Sequence, residues 1–171
     1  MGCDIHLYTE KWNERKECWE SFDFYERNDY YNPNPETEEE KEDNEGERPF
    51  AVVSIDQNRW YYKFAILSPH VRIPPGELKG PVAEKRGFPD DAHKELTEDF
   101  NLWDCDAHSP NWLTVAEFRD LACKWRLIET DSPLAEMSKN LETHIKQKLK
   151  WPHLIEKQNM DHIRLVYWSD N

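Results

Sequence analysis

The sequence lacks long apolar runs and an export signal. No stretch approaches the roughly 20 apolar residues of a membrane-spanning helix, and polar residues appear from Asp4 onward. His6 occupies the position where an N-myristoylation motif carries Ser or Thr. These absences predict a cytoplasmic protein with no membrane partner.

Positive charge is also scarce. The chain carries 22 Lys and Arg against 35 Asp and Glu, a formal net charge of −13. Because binding to nucleic-acid phosphates needs a basic surface, we expect no direct nucleic-acid binding. Net charge of this size ordinarily maintains solubility. The alternative is acidic mimicry, in which the chain binds a protein that normally binds nucleic acid.

Cysteine and glycine are few, at four and five of 171 residues. The cysteines form no Cys-x-x-Cys pair, so they indicate reduced thiols rather than a zinc finger or a disulfide framework. The sequence contains neither a Walker A loop nor Gly-x-Gly-x-x-Gly, and it has no His-Glu-x-x-His. The common motifs for phosphate loops, dinucleotides and zinc hydrolysis are therefore absent.

Aromatic residues, by contrast, are plentiful. The chain has 8 Trp, 7 Tyr and 7 Phe, whose side chains bury large areas, whereas disordered chains have few of them. A chain of this length can bury about two thirds of its unfolded surface. We therefore expect one folded domain over residues 1–171.

Alternating apolar and polar residues predict strands at both ends of the chain. Residues 2–10 and 17–25 alternate and can pair as a hairpin, and residues 163–168 form a terminal strand. Because undocked termini fray, we expect the first and last strands to be neighbours in one sheet.

Helical spacing of apolar residues predicts the remaining elements. A capping box from Thr114 to Glu117 opens one helix, and Asp90 is the candidate N-cap of another. One short helix is predicted within residues 58–72, ending near Pro69, although the aromatic residues there also allow a strand. The other predicted helices cover residues 90–99, 114–124 and 133–150. We expect an α+β fold with a small mixed or antiparallel sheet that includes both terminal strands and is packed by three to four helices. Long central loops cover residues 73–90 and 101–112.

Residues 28–49 interrupt this pattern as a turn-rich, acidic insertion. Eight acidic residues from Glu36 to Glu47 are accompanied only by Lys41 and Arg48. Like charges repel and little apolar surface is available to bury, which predicts a solvated loop.

Two Asp-x-His pairs form the candidate chemical site. Asp4 and His6 stand two residues apart on a predicted strand, so both side chains point to one face, and Asp106 and His108 repeat the spacing. Four such ligands can hold one divalent metal ion of unknown identity, or a bridged pair of ions. The alternatives are a solvated strand face for the first pair and turn-capping side chains for the second.

Four further residues are candidate ligand contacts. Arg59 and Arg86 lie near aromatic residues, and guanidinium groups suit phosphates while aromatic faces suit bases. Ser109 and Trp112 follow His108 within four residues. An ordinary surface loop and a helix-capping serine are the alternative interpretations.

Several segments together resemble a family of uncharacterised bacteriophage and prophage proteins. They are MGCDIHLYTE, FAILSPHVR, GFPDD, DCDAHSPNWLTVAEF and the terminal RLVYWSDN. Members of that family begin Met-Gly-Cys-Asp-Ile-His. The resemblance covers both ends of the chain and residues 59–118, and it implies a phage-type protein that acts in the host cell cytoplasm.

These observations lead to two main functional hypotheses. The first is metal-assisted hydrolysis of a phosphoester or nucleotide at the two Asp-x-His pairs, with an arginine neutralising the developing charge. The second is a non-catalytic anti-defence protein that sequesters a nucleotide signal or inhibits a host defence protein by acidic mimicry. A structural or accessory role in the virion is a third.

Overall fold

A four-stranded antiparallel sheet lies at the centre of the protein. The computed structural model describes residues 5–44, 47–56, 61–68, 73, 76–151, 154–155 and 158–170. The sheet has the order β2-β1-β6-β5 and consists of β1 (Ile5–Asn13), β2 (Cys18–Ser21), β5 (His108–Thr114) and β6 (Ile163–Ser169). A separate two-stranded ribbon joins β3 (Tyr25–Arg27) to β4 (Phe50–Val52).

The first and last strands are neighbours in the sheet, as the alternation predicts. β1 and β6 run antiparallel, with Ile5 opposite Ser169 and Lys11 opposite Ile163. β6 lies between β1 and β5, and all seven of its residues are buried. The prediction of one sheet that contains both terminal strands is confirmed, and the pairing brings the start of β1 and the end of β6 to the same edge.

The predicted hairpin at the start of the chain is also present, but its second strand is shorter. β1 pairs antiparallel with β2, with Trp12 opposite Trp19. Phe22 and Asp23 are buried between β2 and β3, so the chain leaves the sheet there. The segment predicted as one strand over 17–25 therefore forms two.

Five α-helices lie in the described part of the chain. They are α1 (Glu38–Asp43), α2 (Tyr61–Leu67), α3 (Lys94–Trp103), α4 (Val115–Ile128) and α5 (Ala135–Leu149). The capping box predicted at Thr114 and Glu117 opens α4, with both reciprocal hydrogen bonds formed. None of the described helices is long and apolar enough to cross a membrane.

The main apolar core fills the space between one face of the sheet and α2, α4 and α5. Leu165 and Tyr167 of β6 contribute to it from the sheet, together with Phe64, Phe118 and Ile145 from the three helices. Apolar residues at helical spacing place one stripe of each helix toward the sheet. The apolar stripes predicted for the helices at 114–124 and 133–150 thus do form the core.

A second, smaller cluster covers the opposite face of the sheet. Val166 and Trp168 pack there against Leu96 of α3, and the partly buried Trp112 joins them. Trp112 lies opposite Val166 across β5 and β6, and successive strand residues point to opposite faces. Trp112 and Phe118 therefore lie on opposite faces of the sheet.

β5 occupies part of a segment for which the sequence predicts irregular structure. Ser109 has a φ of +51°, and the register shifts between His108 and Asn111, so pairing with β6 continues around a bulge. The His-Ser-Pro-Asn run has little intrinsic strand propensity. The strand forms because β6 supplies a partner, which no local signal reveals.

Two other local predictions need correction. The N-cap of α3 is His93 rather than Asp90, and it makes no side-chain capping bond; its backbone N–H instead donates to the Glu10 carboxylate at 2.7 Å. Within the acidic insertion, α1 forms where a loop was predicted, because Thr37 and Glu40 make a capping box. α1 buries no residue, so local hydrogen bonds rather than packing account for it.

Candidate functional site

A cavity of about 940 Å³ lies between the start of β1, the β3–β4 ribbon and α3. The rings of His6, Tyr8, Tyr25, Phe50 and Trp103 line it. β1 supplies two of these residues at alternate positions, so both point to the same face of the sheet. Ligand cavities in proteins commonly have this size and a largely apolar lining.

Stacked rings form one wall of the cavity. The rings of His6 and Trp103 have centroids 4.4 Å apart, and Tyr8 stacks on the buried Trp168 at 5.0 Å. Burial raises the pKa of Tyr8 above its ordinary value, so its phenol stays neutral. Trp103 remains 36% exposed, which leaves part of its surface free for contact with a bound molecule.

An aspartate at the end of the chain holds the imidazole of His6. Nε2 of His6 lies 3.1 Å from Oδ2 of Asp170, and both side chains are partly buried. Antiparallel pairing of β1 with β6 places the two residues together. Sequence reasoning missed Asp170, because its only signal is its position just after the last strand.

Charged groups form the rim of the cavity. The Arg48 guanidinium lies 2.8 Å from Asp99 and 3.8 Å from Glu98, and so connects the insertion to α3. Burial raises the pKa of Asp99, an effect that Arg48 opposes. Glu47 and Glu95 also line the cavity, and Glu47 accepts a hydrogen bond from the Asn28 side chain at 2.7 Å.

A buried ionic network holds α3 against the sheet. One oxygen of Glu10 accepts the backbone N–H of His93, and the other accepts Nε–H of Arg164 at 2.6 Å. Arg164 also donates to Asp91 at 2.7 Å. This network fixes the start of α3 and thereby the cavity wall that α3 provides.

Of the predicted metal ligands, the structure describes His6, Asp106 and His108, which lie near one end of the sheet but not in one cluster. His6 pairs with Trp168, and His108 pairs with Ser169. Because neighbouring residues of a strand point to opposite faces, this register places the two histidines on opposite faces of the sheet. His6 lines the cavity, whereas Asp106 and His108 do not.

Asp4, the fourth predicted ligand, lies outside the described residues. Among the residues that are described, no three His, Cys, Asp or Glu side chains are grouped closely enough to hold a metal ion. A shared Asp/His metal centre remains a prediction.

Of the predicted ligand contacts, the three that the structure describes, Arg86, Ser109 and Trp112, do not line the cavity. Arg86 donates to both carboxylate oxygens of Glu117, at 2.5 and 2.8 Å, and covers the ring of Trp112 at 4.5 Å. The Ser109 carbonyl accepts a hydrogen bond from Ser68 at 2.6 Å. Arg59 lies outside the described residues. In this structure Arg86 connects the loop before α3 to α4.

Asp23 is a buried carboxyl group in the turn that precedes the cavity-lining Tyr25. Its Oδ1 accepts two hydrogen bonds from Thr9, at 2.7 Å from the backbone and 2.6 Å from the hydroxyl, whereas its Oδ2 has no hydrogen-bond partner among the described residues. Burial raises the pKa of Asp23 to about 7, against the opposing effect of the Thr9 hydrogen bonds.

This shift predicts a pH-dependent stability. The Asp23 carboxyl stays protonated in the folded state up to about pH 7 but ionises near pH 4 in the unfolded chain. The contribution of this carboxyl to the free energy of unfolding is therefore complete below about pH 4 and is lost as the pH rises through 7. The free energy of unfolding falls over this window by at most about 1.4 kcal/mol per pH unit.

Urea denaturation from pH 4 to 8 tests this expectation. Relative to the unmodified chain, Asp23→Asn is expected to gain stability as the pH rises through 7, because the amide does not ionise. Asp29→Asn at an exposed position is the control and should show a flat difference. An equally flat difference for Asp23→Asn contradicts the expectation.

Taken together, the cavity combines exposed ring surfaces, hydrogen-bonding groups at its rim and a wall fixed by buried charges. Such an arrangement can bind a planar molecule by stacking on its faces and can discriminate between molecules by hydrogen bonds to their edges. Among the described residues, His6 is the one cavity-lining residue that the sequence patterns predicted to belong to a site. The other walls of the cavity come from segments distant in the chain. No protein-family model, curated protein or solved structure matches this chain.

Proposed function

We propose that the protein binds, without chemical conversion, a small molecule with a planar heterocyclic base, a nucleoside or nucleotide, and sequesters it. The observation that carries this proposal is the cavity of about 940 Å³ with His6, Tyr8, Tyr25, Phe50 and Trp103 along its sides. Stacking on aromatic rings favours any base, because every base has a π-face.

The polar groups of the cavity fit the edge of a base. Carboxylates accept hydrogen bonds from exocyclic amino groups, and amide side chains both donate and accept. Glu95 and Asp99 of α3 and Glu47 of the insertion provide carboxylates in the lining. A base stacked on Trp103 has such side chains within the same cavity.

Binding is favoured over serine-based hydrolysis by what the Ser21 hydroxyl contacts. The Ser21 hydroxyl in the cavity lies 2.7 Å from the Tyr25 hydroxyl, whereas an activated serine needs an adjacent base. In the phage setting that the sequence resemblance implies, sequestration of a host nucleotide signal is the corresponding role.

Isothermal titration with the common nucleosides and their phosphates tests the proposal. We expect binding of at least one of them, and at least about a fivefold loss of affinity in Trp103→Ala, since stacking on one aromatic ring contributes about 1–3 kcal/mol per base. Trp151→Ala is the matched control, because Trp151 is exposed and does not line the cavity. Absence of binding throughout the panel, or equal affinities of the two variants, contradicts the proposal.

The same samples distinguish binding from hydrolysis. Chromatography of the recovered ligand is expected to return it unchanged after long incubation with and without divalent metal ions. Metal-dependent conversion that disappears in both His6→Ala and His108→Ala would instead support the two-pair hydrolase hypothesis.

A further inference from the structure

The charges around the cavity are unequal. The described lining includes three carboxylates, Glu47, Glu95 and Asp99, and one guanidinium, Arg48. The lining also includes two imidazoles, His6 and His93, which lie 3.1 Å from Asp170 and 2.7 Å from Glu10. With three carboxylates against one guanidinium, the carboxylate and guanidinium groups of the lining carry an excess of negative charge.

The single guanidinium of the described lining is already engaged. Arg48 lies 2.8 Å from Asp99 and 3.8 Å from Glu98, and it donates to the Glu95 carbonyl at 3.4 Å. A phosphate bound to Arg48 would have to compete with these carboxylates. In the described part of the chain, neither Glu47 nor Glu95 forms an ion pair, so their charges are not compensated by a neighbouring cation.

Aromatic rings and unpaired carboxylates together are the surroundings that an organic cation prefers. The negative face of an aromatic ring attracts a cation within about 6 Å, most strongly when the cation is weakly hydrated. A flat, delocalised cation can stack on Trp103 and face the carboxylates at the same time. A neutral base gains only the stacking, and a phosphate group on the ligand lowers the affinity without preventing binding through the base.

We propose that the ligand of this cavity carries its positive charge on the heterocycle itself, as an N-alkylated base such as a pyridinium nucleoside. This inference rests on the proposed function, because it names the charge class of the molecule that the cavity binds. Stacking on the rings provides affinity for the plane of the base. Glu47 and Glu95 provide the preference for its charge.

Three compounds of nearly the same shape test the proposal: nicotinamide riboside, a permanent cation; its reduced dihydro form, which is neutral; and its monophosphate. Titration at pH 8 is expected to give an affinity for the cation about tenfold or more above that for the neutral form. The monophosphate is expected to bind more weakly than nicotinamide riboside itself. Both effects should diminish at high salt.

The double variant Glu47→Gln/Glu95→Gln assigns the preference to these side chains. Its amides keep the shape of the carboxylates and can still pair with Asn28. We expect the ratio of the two affinities to fall below about threefold while the neutral form binds as before. Glu136→Gln on the exposed face of α5 is the control and should leave the ratio unchanged.

The outcomes separate this inference from the proposed function. Tighter or equal binding of the neutral form overturns the inference but leaves a base-binding cavity. A preference for the cation that persists in the double variant also overturns it. If none of the three compounds binds while other nucleosides do, the charge class is wrong; if no nucleoside or nucleotide binds at all, both proposals fail.

Discussion

Replacement of Arg164 by Met is expected to lower the free energy of unfolding by roughly 3–5 kcal/mol, the usual cost of breaking a buried ion pair from one side. Arg164 is 1% exposed, and its partner Glu10 is fully buried. Met preserves much of the side-chain volume but leaves the Glu10 carboxylate without its charged partner at 2.6 Å.

The Arg164 side chain also packs between aromatic rings. Its guanidinium lies 4.0 Å from the ring centroid of Trp19 and 5.3 Å from that of Trp112. These contacts join β2, β5 and β6 across the face that α3 covers. Met retains part of this packing, so most of the expected loss comes from the uncompensated charge.

Chemical denaturation of a double-mutant cycle measures this effect. Glu10→Gln alone is also expected to destabilise the fold, but together with Arg164→Met it should cost clearly less than the sum of the two single changes. Lys16→Met provides the control, because the Lys16–Glu20 pair is exposed and such pairs contribute about 0–1 kcal/mol. Additive single effects would show that the two side chains do not stabilise each other.

Truncation of Phe118 is expected to have a comparable effect through a different cause. Phe118→Ala should cost roughly 3–5 kcal/mol, since the ring is fully buried in the main core between α4 and the sheet. The loss combines the transfer free energy of the ring with the cavity that rigid neighbours such as Val115 and Leu165, also fully buried, leave behind.

A second position on the same helix provides the comparison for Phe118. Leu127 is 88% exposed near the end of α4, so Leu127→Ala is expected to change the free energy of unfolding by less than about 0.5 kcal/mol. Both variants remain good helix formers, which separates burial from helix propensity. Equal losses at the two positions would contradict the assignment of the buried face of α4.

The positions of Phe118 and Trp112 show which contacts short sequence patterns can predict and which they cannot. Spacing along α4 predicted that Phe118 and Leu121 are buried, and both are. Trp112, only three residues before the helix begins at Val115, lies on the other face of the sheet instead. Whether a residue in 108–112 faces one layer or the other depends on the bulge at Ser109, which shifts the alternation.

In the candidate site, too, local spacing predicted one residue but not its partners. His6 was identified from its spacing to Asp4, but its partner Asp170 lies 164 positions along the chain. Most of the cavity is built by the β3–β4 ribbon, the insertion and α3, none of which carries a motif that indicates a site. The acidic insertion was interpreted as a solvated loop, yet it contributes Glu47 and Arg48 to the rim.

The sequence by itself determined the α+β class, the pairing of the terminal strands, the start of α4 and the buried faces of its longest helices. Those features depend on residues a few positions apart, whose spacing and capping chemistry are visible in any short window. Only the tertiary structure decided the position of β5, the ion pair of Glu10 with Arg164 at a separation of 154 residues, and the cavity. The physical reason is that these features arise where distant segments pack, and the free energy of such contacts depends on surfaces that exist only after the chain has folded.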